Sequence, residues 1–97
     1  MQKVAIITGA SRGIGRACAI KFAKEGIKVI ANYNKSEESA KSLKEELKNQ
    51  GIEIEIFKAD ITKKDEIKQM IEFALNKYGK IDILINNARN ITNKTFY

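Results

Sequence analysis

The sequence contains no histidine and only one cysteine, so the commonest metal ligand and acid–base group is absent from it. A lone cysteine can neither staple the fold nor form a metal set. Cys18, set among Ala17, Ala19 and Ile20, reads as a small core side chain. No apolar run approaches the ~18 residues of a membrane span. Met1-Gln2-Lys3 enters an apolar stretch directly, without a signal-peptide pattern. These absences lead us to expect a cytoplasmic protein with no membrane partner. What is present is globular in type: 43% apolar and 31% charged residues in 97, enough for one small domain or a piece of a larger one. The net charge of +6 would attract phosphates. Because the lysines are interleaved with glutamates along helices, a solvated surface is the favoured reading, and a basic nucleic-acid-binding α/β domain is a minor alternative. A phosphate-bearing cofactor or an acidic carrier protein would benefit from the same field.

Along the chain, Lys3 to Thr8 reads as a strand of nearly continuous apolar character, as expected for a strand covered on both faces in a parallel sheet. A helix from about Ile14 to Glu25 puts Ile14, Ala17, Cys18 and Phe22 along one stripe and ends at Gly26. Ile27 to Tyr33 is the second strand. Ser36 then stands as N-cap to a helix from Glu37 to Asn49, which carries Ala40, Leu43 and Leu47 at helical spacing and stops at Gly51. Ile52 to Ala59 alternates apolar and polar residues, which suits a sheet edge. Thr62-Lys63-Lys64-Asp65 resembles a capping box with the shorter acid in place of Glu. The helix that follows runs to about Tyr78, burying Ile67, Met70, Ile71, Ala74 and Leu75, and Gly79 terminates it. Ile81 to Ile85 is the fourth strand. The order β-α-β-α-β-α-β predicts a doubly wound parallel α/β sheet, strand order 3-2-1-4. Its ligand crevice lies outside the strands' C-terminal ends, at the switch between strands one and four.

One stretch organises this pattern: Thr8-Gly9-Ala10-Ser11-Arg12-Gly13-Ile14-Gly15, where the first strand turns into the first helix. Glycines there let backbone approach at a tight turn, against a ligand phosphate and against the strand on which the helix packs, while the first helical N–H groups face an anion. The spacing G-x-x-x-G-x-G is neither the G-x-G-x-x-G dinucleotide fingerprint nor a phosphate-binding P-loop, which needs Lys-Ser/Thr where this chain has Arg16-Ala17. T-G-x-x-x-G-x-G after the first strand resembles the signature of the classical short-chain dehydrogenase/reductases. The form in this chain is similar to the version in 3-oxoacyl-[acyl-carrier-protein] reductases.

That resemblance implies a Rossmann-like fold and a nicotinamide dinucleotide held by Gly9, Ala10, Ser11, Arg12, Gly13, Ile14 and Gly15. An acid at the end of strand two would bind the 2′-hydroxyl of NAD and repel a 2′-phosphate. Asn32-Tyr33-Asn34-Lys35-Ser36 has no carboxylate before Glu37, and Arg12 stands in the glycine turn, so NADP(H) is expected over NAD(H). In the resemblance, Arg12 and Asn34 are the phosphate-side contacts, Asp60 meets the adenine amino group and Ile61 packs on the ring. Asn86-Asn87-Ala88 resembles the start of the family's N-N-A-G motif, with Asn86 mainly structural and Asn87 and Ala88 toward the cofactor. Arg89 and Asn90 depart from the motif where it has glycine.

The family's chemistry uses a Ser and a Tyr-x-x-x-Lys pair, by which a tyrosine of lowered pKa passes a proton while hydride moves. Tyr33 is followed four residues on by Glu37 and Tyr78 by Asp82, and Tyr97 is the last residue, so no catalytic residue is assigned, and no metal ligand. Ile81-Asp82-Ile83-Leu84-Ile85 is also too apolar for a solvent-facing edge strand. Residues 1–97 are therefore expected to be the dinucleotide-binding portion of one incomplete domain. The resemblance implies an NADP(H)-dependent reductase of 3-oxoacyl thioesters on acyl carrier protein, homo-oligomeric at full length. The alternative is a truncated, catalytically inactive dinucleotide-binding module.

Overall fold

The computed structural model describes residues 2–87. Seven elements alternate strictly: β1 (Val4–Ile7), α1 (Gly13–Lys24), β2 (Lys28–Tyr33), α2 (Glu37–Lys48), β3 (Glu55–Lys58), α3 (Lys64–Tyr78) and β4 (Ile83–Ile85). All strand pairs are parallel, and the sheet order is β3-β2-β1-β4, the Rossmann-like arrangement expected from the element order. β1 lies at the centre, with Ala5, Ile6 and Ile7 opposite Val29, Ile30 and Ala31 of β2 on one side and opposite Ile83, Leu84 and Ile85 of β4 on the other.

Strand pleating divides the core in two, because successive side chains point to opposite faces. Ile7, Val29 and Ala31 face one way and pack with Ala19 and Ala23 of α1 and Leu43 and Leu47 of α2. Ile6 and Ile30 face the other way, against Met70 and Ala74 of α3. This placement of α1 and α2 on one face and α3 on the other makes the sheet doubly wound. β1 and β2 are buried almost throughout, whereas β3 is only half-buried, as its alternating sequence foretold.

Several local expectations are corrected. The buried positions of α1 are Gly15, Ala19 and Ala23, spaced by four; of the expected stripe, Cys18 and Phe22 pack partly buried against the same core, whereas Ala17 is exposed and Ile14 is 81% exposed. Ile14 precedes the inward-facing Gly15 and is rotated about 100° away from it, where it lines the cleft. In α3, Leu75 is 45% exposed, because it follows the sheet-facing Ala74 and is rotated about 100° away from it. Ser36 makes no side-chain cap to α2. The Thr62 capping box does not form: α3 starts later, at Lys64, and the Thr62 hydroxyl donates to Asp60 Oδ1 at 2.7 Å instead. β3 begins at Glu55, where pairing with Ile30 begins, and Ile54 just before it is buried without being a ladder residue. At the opposite end of the sheet, Asp82 Oδ2 accepts from the Val4 N–H at 2.8 Å and pairs with Lys80 at 3.1 Å. These contacts hold its carboxyl below the usual carboxylate range, the Val4 bond contributing most.

Candidate functional site

The turn from β1 into α1 is built by hydrogen bonds from its neighbours on both sides. On the β2 side, the Gly9 N–H donates to Asn32 Oδ1 at 3.3 Å and the Ala10 N–H to the Asn32 carbonyl at 2.9 Å. The same Asn32 carboxamide donates through Nδ2 to the Ala59 carbonyl at 3.0 Å and the Phe57 carbonyl at 3.3 Å. One residue, 2% exposed, thus ties the glycine turn to the ends of β2 and β3. On the β4 side, Asn87 Nδ2 donates to the Gly9 carbonyl at 3.1 Å, and the Asn87 N–H donates to Thr8 Oγ1 at 2.9 Å. Asn86 meets the Thr8 hydroxyl through Oδ1 at 3.2 Å.

Gly9 and Gly13 have φ of 59° and 62°, the left-handed region that a side chain disfavours. Gly15 is required for a different reason: a Cβ there would collide with the Gly9 carbonyl oxygen and with Asn87 Nδ2, so the helix could not seat against the turn. α1 then opens with Arg12 in extended backbone at the N-cap, with no side-chain cap and no acid in its first turn. Its leading N–H groups remain directed outward, and the positive end of the helix dipole is not offset.

A cleft of about 430 Å³ lies against this helix start. One wall is the turn, through Gly9, Ser11, Arg12 and Ile14. The other is the exit from β2, through Tyr33, Asn34, Lys35 and Ser36, and Asn87 closes the β4 side. No carboxylate lines the cleft. Its two cations, Arg12 and Lys35, take part in no salt bridge among the described residues, whereas Arg16, Lys41 and Lys77 are each paired with a glutamate.

Of the residues expected from sequence, Gly9, Ser11, Arg12, Ile14, Asn34 and Asn87 come together at this cleft. Ala10 is fully buried beneath it, and Gly13 and Gly15 shape the backbone. Asp60 and Ile61 are not in the cleft lining. Asp60 Oδ1 accepts from the Thr62 hydroxyl and N–H at 2.7 and 3.0 Å, which hold its carboxyl below the usual range, with a smaller contribution from the nearby charge of Lys35. Ala88, with Arg89 and Asn90, lies outside the described residues. Asn87 is bonded into the turn as well as facing the cleft, so the structural work assigned to Asn86 is shared by its neighbour. Sequence reasoning did not single out Asn32. Its signal was a polar residue inside the otherwise apolar run Val29-Ile30-Ala31, which a buried strand tolerates only when the side chain is fully bonded. Among the described residues no group of three or more Cys, Asp or Glu side chains could hold a metal, and no helix is long and apolar enough to cross a membrane.

The fold and this turn define a Rossmann-like α/β protein, and comparison with known proteins narrows the class. Residues 3–97 match the model of the short chain dehydrogenase family, and the chain belongs to that family. It is 44% identical over 88 residues to a 3-oxoacyl-[acyl-carrier-protein] reductase of Staphylococcus epidermidis, an alignment covering 91% of this chain and 36% of the relative. The corresponding Staphylococcus aureus reductase is 43% identical over the same length. Among solved structures, a hydroxysteroid dehydrogenase from Escherichia coli superposes with a TM-score of 0.82 at 40% identity, over 89% of this chain and 35% of that one. A metagenomic short-chain oxidoreductase in complex with NADP gives 0.84 at 34% identity, over 91% and 39%. The chain thus spans little more than a third of the length of these relatives.

Proposed function

We propose that this chain is the cofactor-binding part of an NADP(H)-dependent short-chain oxidoreductase and that the cleft beside Arg12 holds the dinucleotide. The observation that carries the reading is the combination of an uncapped, acid-free helix start with Arg12 and Lys35, which line the cleft on its two walls and, among the described residues, join no salt bridge and share the lining with no carboxylate. The dinucleotide is a diester of pyrophosphate with, in NADP, a further 2′-phosphate. The N–H groups at the start of α1 suit the pyrophosphate. Arg12 on one wall and Asn34 and Lys35 on the other suit the 2′-phosphate by charge and hydrogen bonding, and an acid that would repel it is missing from the end of β2. Asp60, beside Lys35, retains Oδ2 for an adenine amino group, with Ile61 against the ring. Asn87, anchored to Gly9, positions the ribose next to it. Bound here, the cofactor would supply the hydride, and this chain's residues bind and orient it.

The residues 1–97 form, in this reading, the dinucleotide-binding portion of one Rossmann-like domain. A chain of the relatives' length would reduce 3-oxoacyl thioesters carried on acyl carrier protein, as a homo-oligomer in the cytoplasm; the likeness to the Staphylococcus 3-oxoacyl-[acyl-carrier-protein] reductases supports this substrate class. One sequence fact favours a second reading, in which the chain acts as a binding module without turnover: it contains no Tyr-x-x-x-Lys. Amide chemical-shift mapping of the chain with added NADPH tests the common core of both. Shifts are expected at Gly9, Ser11 to Ile14, Asn34 to Ser36 and Asn87, and an unperturbed cleft refutes the reading. A steady-state assay of ketone reduction by the same chain, expected to show none, separates turnover from binding.

A further inference from the structure

Beyond the pair of bonds at Gly9 and Ala10 to Asn32, the two walls of the cleft diverge. Among the described residues, the hydrogen bonds that rejoin them come from one side chain, Arg16. Its Nη1 donates to the Ser11 carbonyl at 3.2 Å, in the turn next to Arg12. The same nitrogen donates to the Ser39 carbonyl at 3.0 Å, in the first turn of α2 just after Lys35 and Ser36. Nη2 is held by Glu46 Oε1 at 2.9 Å. The side chain is 23% exposed and does not line the cleft.

We propose that Arg16 is a positioning residue that fixes the gap between the Arg12 wall and the Asn34–Ser36 wall, and thereby sets discrimination for the 2′-phosphate; this rests on the dinucleotide reading above. Glu46 offsets the charge of Arg16, so its contribution is geometric. Its planar fork meets acceptors from the turn, from α2 and from Glu46 together, which a single ammonium cannot do with the same directionality. A 2′-phosphate needs both walls at once, Arg12 from one and Asn34 with Lys35 from the other, and is therefore sensitive to their separation. The rest of the dinucleotide rests on the glycine turn, which Asn32 and Asn87 hold independently of Arg16.

The test titrates the full chain, Arg16→Met and Arg16→Lys with NADPH and with NADH, and follows amide hydrogen exchange without ligand. Met keeps the packing of the stem, and Lys keeps the charge. In Arg16→Met the NADPH affinity should fall about tenfold, as expected for loss of a charge-assisted bond set, with NADH changed less than about twofold. Arg16→Lys should lose most of the same discrimination, and both variants should exchange faster at residues 34–39. Wild-type discrimination retained in Arg16→Lys would show that charge and not the fork is at work and would overturn the proposal; so would an unchanged ratio in both variants. If the unsubstituted chain binds neither dinucleotide, the functional reading fails, and the exchange data still decide the strut: unaltered exchange at 34–39 in both variants overturns it.

Discussion

The N-termini of α1 and α3 lie at the same end of the sheet, both without a side-chain cap, and differ in the charge of their first turns. α3 has Asp65 and Glu66 in its first turn, and Glu66 Oε1 accepts from the Asp60 N–H at 2.8 Å, so the positive end of that helix is met by the chain's own acids. α1 has no acid in its first turn, and it opens onto the cleft with Arg12 beside it. Acids in a helix's first turn offset its dipole and contribute to stability, whereas an acid-free end attracts a ligand anion. The contrast sets a helix end stabilised by its own acids beside one that the proposed function uses for binding.

The largest effect that would break this contrast is expected from Gly15→Ala. The added Cβ meets the Gly9 carbonyl, which is backbone, and Asn87 Nδ2, which is hydrogen-bonded to that same carbonyl. Urea unfolding should show a loss of ~1–3 kcal/mol, and NADPH binding should weaken by more than about tenfold as the turn is displaced. Next comes Arg12→Gln, which leaves the fold intact and removes one of the two unpaired cations. NADPH affinity should fall about tenfold, in line with one charge-assisted bond set, while NADH affinity moves little.

A sharper test makes α1 resemble α3. Ile14→Glu places an acid in the first turn at an exposed position, where it should add ~0.3–1 kcal/mol of stability through the helix dipole. It should also weaken NADPH binding severalfold by repelling phosphate. Opposite signs in the two measurements are the result expected here, and parallel changes would contradict the division of roles. The smallest effect is at the far end of the sheet. The Asp82 carboxyl has its pKa lowered in the folded chain, so it stabilises fully above the unfolded carboxylate pKa of about 3.9 and loses that contribution as pH falls through the lowered folded value. The stability advantage of wild type over Asp82→Asn should therefore be present at neutral pH and vanish in acid, with NADPH binding at pH 7 unaltered.

Much of the fold was legible because its signals are local. The strict alternation of apolar strands with amphipathic segments gave the strand order through the rule of right-handed crossovers, and Gly26 and Gly79 marked helix ends that the structure keeps. The glycine turn was legible because its spacing is a backbone requirement, seen at Gly9, Gly13 and Gly15. Details that depend on which side chain wins a shared partner were less so. Thr62 could cap a helix or bond Asp60, and the pattern alone does not decide between them. Asn32 and Arg16 are read correctly only once β1, β2 and α2 have been brought together, since Gly9 for Asn32 and Ser39 and Glu46 for Arg16 lie 23 to 30 residues away in sequence. Ile14 looked like core because its period fits, but Gly15 takes the inward position and Ile14 faces the cleft.

The central claim is that the open end of α1, flanked by Arg12 and Lys35, is an NADP site. The most direct measurement is a parallel fluorescence titration of the unsubstituted chain with NADPH and NADH at one moderate salt concentration. Saturable binding with NADPH tighter by about tenfold or more, the scale of one charge-assisted contact set, is the predicted result. Equal or tighter binding of NADH would contradict it.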